Sequence, residues 1–249
     1  MIIIKSPREI ELMKKAGRVV ALVFEGIKDK IVPGISTQDI ADMCEDIIRK
    51  EGAYPTFLNY SGYPGAVCVS INDEIVHGIP SSKRIIRDGD IVSIDVGATL
   101  NGYVGDACRT YPVGICTENA LRLVKVTEES FFEGVKHARP GVHLGEISHA
   151  IQEYCESHGY SMVREYTGHG VGSHLHEDPY IPNYGPVDSG PILKEGMCLA
   201  IEPMVCEGHF AIRVLKDGWT AKTKDGKLSS HYENSIVITK DGYEILTKI

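Results

Sequence analysis

Apolar positions near the start of the chain recur every three or four residues. Ile10, Met13, Gly17, Val20, Phe24 and Ile27 follow the period of a single helix face. Ser6-Pro7-Arg8-Glu9 precedes them, a capping box with proline at the first helical position, so the pattern predicts a helix from Ser6 to about Lys30. A second helix is expected after Pro33-Gly34, with Ile40, Met43, Cys44 and Ile47 on one face and a stop near Gly52. The same order returns at a constant offset of 107, from Pro33 to Pro140. Pro33-Gly34-Ile35 then matches Pro140-Gly141-Val142, Asp39-Ile40 matches Glu146-Ile147, and Gly52-Ala53-Tyr54 matches Gly159-Tyr160-Ser161, with Glu118 to Val135 as the corresponding upstream helix. In the strands that follow, Asp88-Gly89 falls on Glu195-Gly196, Ile94 on Ile201 and Asp95 on Glu202. These patterns predict an α+β chain, one catalytic domain over 1–249 with pseudo-equivalent halves of roughly 1–112 and 113–249. Each half contributes two helices that cover antiparallel strands, and a site is expected between the halves. Gly168 to Glu195, rich in Gly, His and Pro, reads as a long functional loop.

Composition narrows the function classes. With 43% hydrophobic and 24% charged residues, a chain of 249 residues can build a full core. Lys and Arg total 26 against 34 Asp and Glu, a net charge of -8, which argues against a nucleic-acid partner or an anionic membrane surface. The longest apolar run, Val19 to Phe24, is far shorter than the roughly 20 residues a membrane span needs. The N-terminus turns polar at Lys5 and lacks the regions of a secretory signal, so a cytoplasmic location is expected. The seven cysteines contain no C-x-x-C pair and read as free thiols in a reducing compartment.

Candidate chemistry sits on strands. Two strand-like runs from Asp90 to Asp106 are joined by Asn101-Gly102, a strong signal for a two-residue hairpin turn. Residues whose numbers sum to 203 then face each other: Asp95 opposes Cys108 and Gly97 opposes Asp106, so the two aspartates are diagonal neighbours on one face. Two carboxylates among apolar residues repel each other and lose hydration, so they call for a positive partner. The alternative, a wet face on an edge hairpin, fits poorly with the flanking Val-Ser-Ile-Asp95-Val. Glu202 in Met-Cys-Leu-Ala-Ile-Glu202-Pro and Glu233 in Ser-His-Tyr-Glu233-Asn-Ser-Ile repeat the pattern. His169 lies in Thr167-Gly-His169-Gly-Val-Gly172, where small residues would let the backbone come close to a ligand. This stretch is a poor phosphate loop, because the third glycine of G-x-G-x-x-G and a following lysine are missing. Four carboxylates and one imidazole suit divalent ions such as Mn, Fe or Co better than a structural zinc, and four negative charges balance two such ions.

Together with these residues, Asn72-Asp-Glu-Ile-Val-His77-Gly-Ile-Pro80, Gly105-Asp106, His176-Glu-Asp-Pro179 and Ile201-Glu202-Pro203 give the chain its likeness to a known family. Over essentially its whole length it resembles the methionine aminopeptidases, within the larger group that includes prolidases and X-Pro aminopeptidases. The resemblance implies a pita-bread fold and a binuclear centre held by Asp95, Asp106, His169, Glu202 and Glu233, with cobalt, manganese, iron or zinc as the metal. It implies catalytic roles for Glu202 as proton acceptor, His176 at the oxyanion and His77 at the leaving amide nitrogen, and a methionine pocket of Tyr60, Tyr63, Cys68 and Trp219. A monovalent cation near Asn72 and Ser229 is a further implication. The implied partners are nascent polypeptide N-termini with a small second residue, met at the ribosome by a monomer.

Glu202 and Glu233 are only 31 apart, which leaves no room for the inserted helical segment of the family's type II enzymes, so the short bacterial type I form is expected. The start of the chain directly at the first helix agrees with that form. Leu175 and Phe57 depart from the phenylalanine and cysteine of many relatives, so the pocket wall is expected to differ. Tyr60 and Tyr63 are expected to be exposed. His174 and His176 have the alternating spacing of a zinc pair, but the resemblance favours His176 alone. His137, His143, His149, His158, His209 and His231 are expected to be surface or structural residues. The nearest alternative is an X-Pro aminopeptidase or prolidase; a binding protein without peptidase activity is disfavoured because all five ligands are present.

Overall fold

The computed structural model describes residues 1–249. Helix α1 (Pro7–Ile27) is closed at its start by reciprocal bonds: Glu9 N–H donates to Ser6 Oγ at 3.4 Å, and Ser6 N–H donates to Glu9 Oε2 at 2.7 Å. A 3-10 turn extends it to Lys30. Helix α2 (Thr37–Lys50) uses the same device with Ser36 and Asp39, and α3 (Glu118–Val135) is capped by Thr117. Helix α4 (Gly145–Ser157) completes the second pair. Caps and amphipathic faces are local signals, which is why these elements follow the pattern in the chain closely.

The first-half strands are β1 (Tyr54–Pro55), β2 (Cys68–Ile71), β3 (Glu74–Val76), β4 (Ile91–Leu100) and β5 (Tyr103–Pro112). Strands β4 and β5 pair antiparallel along their whole length, with Asp95 opposite Cys108 and Gly97 opposite Asp106. Asn101 and Gly102 both take positive φ, 54° and 80°, as a type I′ turn requires. The other edge of β4 carries β1 and β2, and there Cys68 opposes Asp95.

The second half is built of shorter strands: β6 (Ser161–Met162), β7 (Gly168–Gly170), β8 (Glu177–Ile181), β9 (Cys198–Ile201), β10 (Met204–Cys206), β11 (Ile212–Val214), β12 (Ala221–Thr223), β13 (Ser229–His231), β14 (Asn234–Ile238) and β15 (Tyr243–Ile245). Its principal sheet has the order β15-β14-β9-β7-β8. The segment expected as one long loop therefore contains β7 and β8. Their short, Gly-, His- and Pro-rich sequences hide a pairing that neighbouring strands impose.

Helices α1 and α2 cover the first-half strands with one apolar core, and α3 and α4 cover the second-half strands with another. A third cluster draws on both halves, with Met13, Phe57, Cys68 and Val104 from one and Val171, Leu175, Ala200 and Val237 from the other. Helix α1 lies very close to the hairpin: a Cβ on Gly105 would stand 2.6 Å from the Gly17 Cα. Strand β3 also pairs with β12, so the halves interlock. All seven cysteines are free, and no helix is long and apolar enough to cross a membrane.

Candidate metal centre and active site

The five predicted ligand positions converge on one cavity of about 310 Å³, lined by Asp95, Asp106, His169, Glu202 and Glu233. Local register supplies the first two, because Asp95 and Asp106 are diagonal across the β4–β5 ladder. His169 enters from β7, paired with Ala200 of β9. The β9–β14 ladder pairs Ile201 with Asn234, and the next step of that register sets Glu202 against Glu233. The two halves are then stitched together at the site. Glu233 N–H donates to the Cys108 carbonyl at 3.0 Å, Asp106 N–H donates to Ser235 Oγ at 3.2 Å, and Ser235 Oγ donates back to the Asp106 carbonyl at 2.8 Å. The Arg109 guanidinium donates to the carbonyls of Cys108 and Glu233 and to Asn234 Oδ1.

Asp106, His169 and Glu233 offer ligand atoms within 4.8 Å of one another, and His169 Nε2 lies 3.6 Å from both Asp106 Oδ2 and Glu202 Oε1. His169 Nδ1 is bonded to the Gly170 carbonyl at 2.9 Å, which places the ring proton there and turns the Nε2 lone pair toward the cavity. Asp95 Oδ1, Asp106 Oδ1 and Glu233 Oε1 are buried with no hydrogen-bond partner. Burial and mutual repulsion push these carboxyls upward. Asp95 rises to about 7, chiefly through burial, and Asp106, Glu202 and Glu233 lie well above the usual carboxylate range. Burial drives the imidazoles the other way, His169 to about 3 and His77 to about 4, so both are neutral donors or ligands near pH 7. Orphaned, mutually repelling oxygens beside a neutral imidazole are the donor set that a divalent cation satisfies.

The rest of the cavity is aromatic and apolar. Tyr63, Cys68, Trp219, Phe57 and Leu175 line it beside the carboxylates. Tyr63 and Trp219 meet edge to face at 5.1 Å. Tyr60 is exposed as expected, but Tyr63 is only 3% accessible. Its hydroxyl donates to the carbonyls of Gly78 and Val67, which draws the ring into the cavity wall. Phe57 covers Gly97, where a Cβ would lie 2.6 Å from its ring, so the glycine opposite Asp106 makes room for this side chain. The glycines around His169 serve protein rather than ligand: a Cβ on Gly170 would lie 2.1 Å from the Asp178 carbonyl oxygen of β8.

His176 lines the same cavity, its ring 4.3 Å from that of His169, and its Nδ1 is 2.8 Å from the Tyr60 hydroxyl. His77 takes a left-handed backbone, φ 60°, and its ring meets Tyr166 and Trp219 edge to face. His174 points outward with a side chain 79% accessible. Sequence reasoning missed two contributors. Arg109 ties the halves together, and His231, expected to be surface or structural, is buried with Nε2 3.6 Å from Glu202 Oε2. The available signal was the position of His231, two residues before Glu233 in the chain.

Comparison with known proteins agrees with this geometry. Residues 11–240 match the model of metallopeptidase family M24. Methionine aminopeptidase 1 of Bacillus subtilis strain 168 is 54% identical over the full length of both chains, and the methionine aminopeptidase of Escherichia coli K12 is 45% identical over 98% of this chain and 93% of its own. The crystal structure of methionine aminopeptidase from Thermotoga maritima superposes with a TM-score of 0.99 at 49% identity, covering both chains fully. A prolidase from Pyrococcus furiosus reaches a TM-score of 0.80 at 27% identity, with 99% of this chain covered but 66% of the other. The chain belongs to metallopeptidase family M24 and, within it, to the methionine aminopeptidases. The site is accordingly that of a metal-dependent hydrolase on the α+β pita-bread fold, and the prolidase likeness is the more distant one.

Proposed function

We infer that this chain removes the N-terminal methionine from nascent polypeptides, preferring a small second residue, with two divalent ions held by Asp95, Asp106, His169, Glu202 and Glu233. The observation that carries the reading is the single cavity in which these side chains adjoin the apolar pocket of Tyr63, Cys68 and Trp219. A flexible thioether suits such a pocket, since sulfur packs well against ring edges. Cobalt, manganese, iron and zinc all fit the donor set. Bound there, the ions supply a water of lowered pKa and polarise the scissile carbonyl.

The chain's own residues do the rest. Glu202 accepts the proton of the attacking water and returns it to the leaving amine. With the Tyr60 hydroxyl donating to His176 Nδ1, the ring proton sits on Nε2 and is aimed at the developing oxyanion. His77, neutral and braced by Trp219 and Tyr166, contacts the amide nitrogen of the leaving peptide, and Tyr60 closes the mouth of the methionine pocket. We read 1–249 as one catalytic domain with pseudo-equivalent halves, 1–112 and 113–249, acting as a cytoplasmic monomer at the ribosome. We also read a monovalent cation near Asn72 and Ser229, whose main chains meet where Ser229 N–H donates to the Asn72 carbonyl at 2.9 Å.

The test is hydrolysis of Met-Ala-Ser against a Gly-Pro dipeptide after chelation and reloading with manganese or cobalt. Cleavage of Met-Ala-Ser that returns at two ions per chain supports the reading, and preferential Gly-Pro hydrolysis overturns it in favour of an X-Pro peptidase. His176→Ala should lower turnover by on the order of 10²–10³, the usual loss for one oxyanion donor.

A further inference from the structure

His231 is 1% accessible, and its Nε2 is fully buried with no hydrogen-bond partner. Such an atom in a native core calls for an explanation. The nearest acceptor is Glu202 Oε2, at 3.6 Å, while the other oxygen of the same carboxylate, Oε1, lies 3.6 Å from His169 Nε2. Glu202 is therefore spanned by two imidazoles, one on each oxygen. The two differ in placement. His169 lines the metal cavity, whereas His231 does not and instead forms part of the wall of a separate pocket of about 170 Å³ with Arg109, Thr110 and Tyr232.

The backbone of His231 is firmly anchored. Its N–H donates to Thr110 Oγ1 at 3.1 Å, its carbonyl accepts from the same hydroxyl at 2.8 Å, and Thr110 Oγ1 lies 2.8 Å from Ser93 Oγ on β4. The opposite side is held by β10, where His231 pairs with Met204, two residues beyond Glu202. The main chain of His231 is thus fixed to the first-half hairpin, and from there its Nε2 comes within 3.6 Å of Glu202 Oε2.

We propose that His231 is a positioning residue whose Nε2–H donates to Glu202 Oε2, holding the carboxylate so that Oε1 faces the metal cavity. A shortening of about 0.5 Å brings the pair into hydrogen-bond range. Glu202 is read as both ligand and proton acceptor, so a donor fixed on Oε2 holds Oε1 toward the cavity where both tasks are performed. The inference rests on the reading of Glu202 as ligand and base, but its first measurement is metal affinity and does not depend on the substrate.

The experiment uses the full chain, stripped by chelation and titrated calorimetrically with manganese, as wild type, His231→Leu and His231→Gln. Leucine keeps much of the volume without a donor, and the glutamine amide nitrogen can stand in for Nε2–H. Outer hydrogen bonds of this kind are typically worth 10–100-fold in metal affinity or activity. His231→Leu should weaken manganese binding by about 10–100-fold and lower kcat on Met-Ala-Ser by a similar factor with KM little changed, and His231→Gln should recover most of both. Thermal melts of the chelated proteins verify that each variant is folded. Manganese affinity and kcat within twofold of wild type in folded His231→Leu would overturn the proposal. So would a change in the visible absorption of the cobalt-loaded protein that glutamine fails to restore, since that would make His231 a direct ligand. If wild type failed to cleave Met-Ala-Ser, the proposed function would fall while the affinity comparison still decided the role of His231.

Discussion

The two halves deliver their carboxylates in different ways. In the first, Asp95 and Asp106 are eleven residues apart on one unbroken hairpin, and a two-residue turn sets their relation. In the second, Glu202 and Glu233 are 31 apart, separated by β10 to β13, and meet only after β9 and β14 pair. His169 arrives on a three-residue strand. The hairpin sets its own register, whereas the second-half candidate ligands are held by contacts from the first half: Arg109 and Cys108 on the main chain of Glu233, and Lys5 on Glu177 beside His176. A metal centre built across such a joint has one rigid wall and one assembled wall, and changes to the two should have different consequences.

The largest effect should come from that ion pair. Lys5 Nζ meets Glu177 Oε2 at 2.5 Å, with side chains only 3% and 5% accessible. Lys5→Met strands a buried carboxylate and should cost about 3–5 kcal/mol in urea unfolding, while the double variant Lys5→Met/Glu177→Gln should recover most of the loss. A loss below about 1 kcal/mol would show that the assembled wall does not depend on the N-terminal segment.

Asp106→Asn and Glu233→Gln take one proposed ligand from each wall. Both should lower turnover of Met-Ala-Ser by on the order of 10²–10³, because a bound metal contributes several kcal/mol of charge stabilisation. Equal losses would show that the walls differ in construction but act as one centre. Arg109→Ala touches the seam alone. It should weaken metal binding by about 10–100-fold in calorimetry while the circular dichroism spectrum stays that of the native chain.

Acidity separates the walls from the metal. The raised carboxyls take up protons in the folded, metal-free state that unfolded Asp and Glu, with pKa values of about 4, do not hold near neutrality. Lowering the pH from about 8 to 6.5 should therefore stabilise chelated protein, by about 1–2 kcal/mol, with Asp95, at about 7, contributing directly in this window. Below about 6.5 the gain should flatten, because His77, His169 and His231 stay neutral when folded but protonate when unfolded. Denaturant midpoints across that range give the answer, and a fall in stability between pH 8 and 6.5 would contradict the assignment. The smallest effect concerns the turn. Gly102→Ala, at φ 80°, should lose about 1 kcal/mol with the register intact, visible as a modest drop in melting temperature.

Much of the assembly was legible beforehand, and the parts that were not share a cause. The helix cap at Ser6 and the Asn101-Gly102 turn depend on neighbours within a few residues, and the turn fixes the opposition of Asp95 to Cys108. Tyr63 was expected to be exposed because its surroundings are turn-like, yet its hydroxyl finds carbonyls at Val67 and Gly78 that only the folded chain brings near. The strands at Gly168 and Glu177 exist because β9 offers an edge to β7, and β7 in turn offers one to β8. His231 looked like one of many spare histidines until β13 placed it behind Glu202.

The sequence by itself determined the helices, the hairpin and its register, and the need for a cation, because burying unpaired carboxylates is unfavourable wherever the chain runs. Only the tertiary structure decided that four carboxylates and an imidazole share one cavity, which oxygens are left without partners, and that His231 stands behind Glu202. Those are distances between residues tens to more than a hundred positions apart, set by how two separate cores meet at a seam rather than by any local preference of the chain.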